Sequence, residues 1–113
     1  MERPHDYETI TTLDISIKGL TELPSWVSEC TKLEKLNCSF NKIIQLDNLP
    51  QTLKELICFN NKITELNNLP QTLKKLNCND NKITNIDNLP CTLTELCCSF
   101  NNITNLDNLP LTL

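Results

Sequence analysis

Seven cysteines carry most of the reactive chemistry in this chain, and four of them recur at an interval of 20 residues. Thiolates at a regular spacing can bind zinc, form disulfides or act as nucleophiles. If the chain repeats with the same period, these four stack in one row about 4.8 Å apart, whereas zinc needs a tetrahedron and a disulfide needs a suitable torsion. We therefore interpret the row as small apolar side chains in a core, with no metal and no cofactor. The four are Cys38, Cys58, Cys78 and Cys98.

The remaining candidates for chemistry do not form a catalytic set. Cys91 falls in a connection and Cys97 points outward beside Cys98, so Cys91 and Cys97 are the more reactive thiols, but nothing near them in the sequence activates them. The single histidine, His5, lies near the N-terminus, and its spacing from Cys30 or Cys97 does not indicate a Cys–His pair. The sequence predicts a protein that is not an enzyme.

An internal repeat organises the chain and decides which elements position these side chains. Four blocks share the pattern LxxLxCxxNxIxxxxNLPxT, in which nine of the 20 places are identical in all four. A longer, diverged block precedes them, residues 1–9 form an N-terminal flank, and residue 113 begins an incomplete repeat. Such a period indicates a single repeat domain over residues 1–113. The predicted repeats are 10–32, 33–52, 53–72, 73–92 and 93–112.

Each block contains one short alternating segment, which favours a β-strand, followed by a connection that ends in proline. Proline every 20 residues and the many asparagines exclude long helices. One block cannot bury its Leu and Ile side chains alone, so stacked blocks must bury them against the same places above and below. The predicted fold is an α/β-type repeat solenoid, right-handed, with a parallel β-sheet on its concave face and an extended, polyproline-like convex side with very little helix.

The blocks resemble leucine-rich repeats, whose family pattern is LxxLxLxxNxL. The block at residues 33–52 reads Leu33, Leu36, Cys38, Asn41 and Ile43 at these places, and the next three blocks repeat it. Their length and the NLPxTL connection are similar to the short repeats of bacterial effector proteins. The resemblance implies an asparagine ladder, in which a buried amide at the ninth place bonds backbone groups of its own block and the next.

The first block departs from this pattern. Its segment LPSWVSECTKL is longer and resembles the repeat type that has a convex helical turn, where Ser25 is expected to cap a turn carrying Trp26 and Val27. Lys18 stands at the place that asparagine occupies in the later blocks. Residues 1–9 and this block are predicted to form the N-terminal cap.

Strand residues that alternate with the core are expected to line the concave face. One outward column alternates lysine and glutamate, so neighbours on adjacent strands pair weakly. Another runs through Ser39 and Phe59, and the strand of Phe59 also presents Ile57 to solvent, which indicates a hot spot. Phe40 and Phe100 flank this pair and either join it or fold over the turn edge. The predicted protein-binding residues are Lys35, Asn37, Glu55, Ile57, Phe59, Lys75, Asn77, Glu95 and Cys97.

The charge balance argues against nucleic acid as a partner. Ten basic and 14 acidic residues give a net charge of −4. We interpret the column of Lys42, Lys62 and Lys82 as a solvent-exposed edge and not as a surface that binds nucleic-acid phosphates. No apolar run reaches the length of a membrane span, and the N-terminus has no secretory signal. With an odd number of cysteines, these features predict a cytoplasmic protein without membrane contact, in the host cytoplasm if it is viral or an effector.

Three functions fit these observations. The leading hypothesis is a protein–protein interaction module that binds an unidentified partner protein on the concave face. The alternatives are a structural, self-associating solenoid and the N-terminal recognition part of a larger effector or adaptor. The last block is as apolar as the others and no capping segment follows it, so we also expect a homodimer through this C-terminal end, unless Leu113 is not the native end of the domain.

Overall fold

Five short strands follow one another along the chain and pair in the same order. In the computed structural model, which describes all 113 residues, each strand is parallel to the next and in register with it. The central leucines of the strands are register partners from one end of the sheet to the other. The predicted solenoid with a single parallel sheet is confirmed. The strands are β1 (Thr12–Asp14), β2 (Lys35–Asn37), β3 (Glu55–Ile57), β4 (Lys75–Asn77) and β5 (Glu95–Cys97).

A single short 3₁₀ helix, Ser25–Glu29, is the only helical segment, and it buries Trp26 and Val27. The helical turn of the first block is therefore confirmed, but the predicted capping by Ser25 is wrong. Pro24 occupies the N-cap in an extended conformation, and no side chain caps the helix. Ser25 consequently lies inside the first turn, where its carbonyl accepts a hydrogen bond from the hydroxyl of Ser28 at 3.0 Å.

The interior is filled by stacked leucine, isoleucine and cysteine side chains. The thiols of Cys38, Cys58 and Cys78 are fully buried among them, so their interpretation as core residues is confirmed. Burial decreases in the last block, where Leu96 and Cys98 are half-buried and Leu106 is 63% exposed. Each block covers the one before it, and no block follows the last one in these 113 residues.

The asparagine at the ninth place of each regular block joins two neighbouring blocks. Asn61 is 7% exposed, and its amide donates to the carbonyls of Cys58 in its own block and Cys38 in the preceding one, both at 3.1 Å. Its Oδ1 accepts the backbone N–H of Ile43 at 3.0 Å. Asn61 therefore joins its own block to the preceding block, not to the next one as predicted. The turn after the strand places its amide beside the backbone groups of the preceding block.

A threonine closes each coil of the solenoid. The hydroxyl of Thr52 donates to the carbonyl of Leu33, 19 residues earlier in the same block, at 2.7 Å. Thr72 and Thr92 make the same bond to Leu53 and Leu73. These bonds hold the end of each extended connection beside the start of its own block.

The asparagine at the sixteenth place serves the backbone conformation of the turn. Asn48, Asn68 and Asn108 have φ of 66°, 64° and 63°, in the left-handed region that asparagine tolerates better than most residues. These turns therefore need a residue that accepts a positive φ, which asparagine does at little cost.

Candidate functional site

Two ion pairs lie on the concave face, as the alternating column predicts. Lys35 and Glu55 approach within 3.8 Å, and Lys75 and Glu95 within 3.9 Å. Glu55 and Lys75 are register partners but form no ion pair. All four side chains are substantially exposed, so solvent screens the pairs and they contribute little to stability. They provide a mixed-charge surface along the strands.

Ile57 and Phe59 lie beside this charged column, but they are half-buried rather than fully exposed to solvent. The ring of Phe59 packs edge-to-face against Phe40, with centroids 5.0 Å apart and an interplanar angle of 79°. Ile57 borders two shallow depressions of about 210 and 250 Å³ on the concave face. The packed, half-buried side chains form a rigid and partly desolvated surface against which an apolar side chain can pack.

Phe40 reaches this surface from a strained backbone conformation. It follows Ser39 with φ of 55°, and its N–H donates to the carbonyl of Phe59 at 3.1 Å. Ile17 occupies the same place in the first block, also with φ of 55°, and is 75% exposed. We call Phe40, Ile57 and Phe59 the apolar corner, and Ile17 lies one block before it.

The flanking polar residues are more tightly held than the sequence predicts. Asn37 is half-buried, and its Oδ1 accepts the N–H and the hydroxyl of Ser39 at 3.0 and 2.6 Å. Ser39 is only 2% exposed, so it is far less accessible than its place in an outward column predicts. Its hydroxyl bonds the side chain of Asn37, two residues earlier on the same face. Asn77 similarly accepts the N–H of Asn79 at 3.2 Å.

The cysteines divide into a buried row and exposed residues. Burial raises the pKa of Cys38 and Cys78 to about 12, and it raises the pKa of Cys58 well above its usual range. A thiol that stays protonated is a poor nucleophile and a poor metal ligand. Cys91 and Cys97 are exposed, as predicted.

No group of three or more His, Cys, Asp or Glu side chains converges to hold a metal ion in this structure. The structure also contains no helix that is long and apolar enough to span a membrane. Several of the residues predicted from the sequence to bind a partner lie on adjacent strands of the concave face. Its apolar corner lies toward the first blocks, and Glu95 and Cys97 lie toward the last.

Sequence reasoning missed Ile17, which had no assigned role. The available signal was its place in the repeat, because Ile17 aligns with Phe40 two residues after the buried strand position. The pairing of Phe40 with Phe59 was one of two alternatives, and the structure selects it. Phe100, at the same place in the last block, is 80% exposed and has no aromatic partner.

Neither a family model nor a curated protein sequence matches this chain. Among solved structures, the functional domain of InlJ from Listeria monocytogenes, which includes a cysteine ladder, is 40% identical with a TM-score of 0.74. The match covers 88% of this chain and 23% of that one. A Shigella effector LRR domain is 26% identical with a TM-score of 0.60, over 86% of this chain and 52% of that one.

This chain thus spans less than two thirds of either similar structure. Both share its architecture of parallel strands stacked by short repeats, and the Shigella domain is itself a leucine-rich repeat domain. The row of buried cysteines in this chain is observed in its own structure and does not depend on the comparison with InlJ. The chain is a leucine-rich repeat solenoid with short repeats of the bacterial-effector type.

Proposed function

We propose that this chain is a protein-interaction module that binds a partner protein on its concave face, centred on the apolar corner. The observation that carries the proposal is the packing of Phe59 against Phe40 beside Ile57. Aromatic and apolar side chains held rigidly in a partly desolvated surface are typical of interface hot spots. The fitting partner presents an apolar side chain to this corner and charges of both signs to the lysine–glutamate column.

Backbone strain at Phe40 supports the same surface. A positive φ is costly for a bulky residue, and asparagine and aspartate occupy the same place in the next two blocks, at Asn60 and Asp80. Folding alone therefore does not require phenylalanine there. Strained residues of this kind cluster at binding sites, where the ring position matters more than the local conformational cost.

The double substitution Ile57→Asp and Phe59→Asp tests the proposal. Pull-down from a lysate of the source cells should recover the partner with the wild-type chain and lose it with the double variant. The matched control is Asn77→Asp with Asn79→Asp, which adds the same charge to the same two columns one strand further on. Equal recovery with both double variants would reject the apolar corner as the binding site.

A second candidate is recognition on behalf of a larger effector or adaptor. This candidate is favoured because the present chain covers only 23% and 52% of the two similar structures, which are both longer. Sequencing the full reading frame that contains these residues tests this candidate. A further domain encoded beside the repeats would support it.

We also propose a cytoplasmic location, because all seven cysteines are free thiols. Fractionation of the source cells tests this location.

Finally, we keep homodimerisation through the C-terminal end as part of the proposal. It uses a surface separate from the apolar corner.

A further inference from the structure

Three lysines form a column beyond the carboxyl ends of the strands. Lys42, Lys62 and Lys82 occupy the tenth place of their blocks, and all three are exposed. Each follows a buried asparagine of the ladder and precedes a fully buried isoleucine. The N–H of Lys62 donates to the carbonyl of Ile43, and that of Lys82 to the carbonyl of Ile63, both at 2.8 Å. The backbone of the column is therefore fixed, and successive lysines lie about one strand spacing, ~4.8 Å, apart.

The positive charge of this column has no counter-charge within the chain. All four ion pairs of the protein use other cations, namely Arg3, Lys35, Lys54 and Lys75. In the four regular blocks, neither the tenth nor the twelfth place contains an acidic residue. Asp80 is close in sequence and exposed, but it forms no ion pair with Lys82. Like charges on neighbouring strands repel each other, and a bound anion relieves that repulsion.

Folding does not require lysine at this place. Asn102 is the tenth residue of the last block, and its N–H makes the same bond, to the carbonyl of Ile83 at 2.9 Å. The three lysines thus add repulsion to the middle of the solenoid without serving a backbone contact that asparagine cannot serve.

An exposed apolar side chain lies at one end of the column. Ile44, at the twelfth place, is 51% exposed, whereas the next three blocks have threonine there. Ile43 between them is buried, so Lys42 and Ile44 face solvent on the same side. We call Lys42, Ile44, Lys62 and Lys82 the basic edge, and it shares no residue with the apolar corner.

We propose that the basic edge binds a short, extended acidic segment of a partner protein that has an apolar residue at one end. The three lysines span two strand spacings, about 10 Å, which three or four extended residues cover. The acidic side chains face the lysines, and the apolar residue packs on Ile44. This site is additional to the concave surface and does not depend on it.

The charge of the whole molecule favours a short segment over a long polyanion. The net charge is −4, and exposed aspartates line the convex side of the same blocks at Asp47 and Asp87. A nucleic acid or an anionic membrane extends well beyond the column and meets this negative surface. Salt confines the field of exposed lysines to about 8 Å at physiological ionic strength. A segment as short as the column therefore gains the attraction without the repulsion.

Fluorescence anisotropy with two labelled peptides at low salt tests the proposal. One peptide is a leucine followed by four glutamates, and the other has glycine in place of the leucine. The leucine peptide should bind more tightly, and Ile44→Thr should remove this difference. Lys62→Gln should weaken binding of both peptides about threefold. The matched control is Lys74→Gln, since Lys74 is also exposed and without an ion pair but lies before its strand, and it should leave binding unchanged.

Absence of binding up to millimolar protein would overturn the proposal, as would equal effects of Lys62→Gln and Lys74→Gln. Tighter, Lys62-dependent binding of a 12-nucleotide oligothymidylate or of phosphatidylserine vesicles would assign the edge to another class of partner and also overturn it. Urea denaturation provides a second readout. Lys62→Gln removes a repelled charge and should not lower the free energy of unfolding, so a clear loss of stability would show that the lysines serve the fold instead.

Discussion

At the scale of single residues, the eighth place of each block shows a conflict between side chain and backbone. Ile17, Phe40 and Phe100 adopt φ of 55°, 55° and 56° there, although the left-handed region costs a bulky residue roughly 1–2 kcal/mol. Asn60 and Asp80 occupy the same place with little strain. Phe40 has a compensating contact with Phe59, whereas Phe100 has no aromatic partner.

We therefore expect Phe100→Asn to raise the free energy of unfolding by about 1 kcal/mol, because it relieves the strain and removes no buried contact. Urea denaturation at low protein concentration measures the change. Phe40→Asn is the matched control and should gain less, since losing an aromatic pair costs about 0.5–1.5 kcal/mol. A Phe100→Asn protein less stable than wild type would show that the ring makes an unrecognised contact.

The buried thiols make stability depend on alkaline pH. The folded-state pKa of Cys38 and Cys78 is about 12, above the ordinary thiol value near 9, because burial disfavours the thiolate. An unfolded chain ionises these thiols first. The contribution of these thiols to the free energy of unfolding is therefore fully present below the pKa of the unfolded chain. It is lost as the pH rises from there through the pKa of the folded protein.

The free energy of unfolding should accordingly fall above about pH 9, with each buried thiol adding a slope of about 1.4 kcal/mol per pH unit. Cys58→Ala removes one such thiol. Its stability curve should run parallel to that of the wild type below about pH 8 and converge on it at higher pH. Denaturant melts across this range measure both curves, and curves that stay parallel up to pH 12 would contradict thiol linkage.

At the scale of elements, the asparagine column joins the strands more specifically than the apolar core does. Asn61 accepts the buried N–H of Ile43, and it is one of two asparagines that donate to each of the carbonyls of Cys38 and Cys58. Unsatisfied buried backbone groups cost about 1–3 kcal/mol each. The turns after the strands thus depend on one side chain per block.

Asn61→Ala should lower the free energy of unfolding by about 2 kcal/mol, because it leaves the buried N–H of Ile43 unpaired. The carbonyls of Cys38 and Cys58 each lose one of two donors and keep their bonds to Asn41 and Asn81. Asn101→Ala is the natural comparison. Asn101 makes the same three kinds of bond but is only partly buried, so water can replace them and the loss should be clearly smaller. Urea denaturation of both variants would contradict this account if the two losses were equal.

At the scale of the whole molecule, the solenoid behaves as a one-dimensional stack. Contacts between strands occur only between sequence neighbours, from β1 with β2 to β4 with β5. Stability should then follow the number of interfaces between blocks, and a whole block can be removed without destroying the register. The surface, in contrast, changes with the particular block that is lost.

Deleting residues 53–72 and deleting residues 73–92 form a matched pair. Each removes 20 residues, joins a threonine to a leucine as in the natural sequence, and brings one like-charged pair together on the concave face. Both proteins should fold, with a lower melting temperature than the wild type. Only the first deletion removes Ile57 and Phe59, so only it should abolish partner capture. Loss of capture in both would place the binding site elsewhere.

The sequence by itself determined the repeat, the parallel sheet and the identity of the core. A period of 20 residues forces equivalent side chains into register, and strand alternation then separates Leu36 and Cys38 inside from Lys35 and Asn37 outside. The ion pairs on the concave face followed from the same register. Exposure of Cys97 and burial of Cys58 required no further information, because each lies on a fixed side of its strand.

Only the tertiary structure decided the details of the binding surface. The contact of Phe40 with Phe59 depends on a positive φ and on the distance between two blocks, neither of which periodicity specifies. Ser39 is buried, whereas Ser16, which makes the same hydrogen bond in the first block, is half-buried, so the bond itself does not decide burial. Pattern reasoning places a residue on a face, but the turn after each strand bends the chain off that face. There the neighbouring block determines which side chains meet.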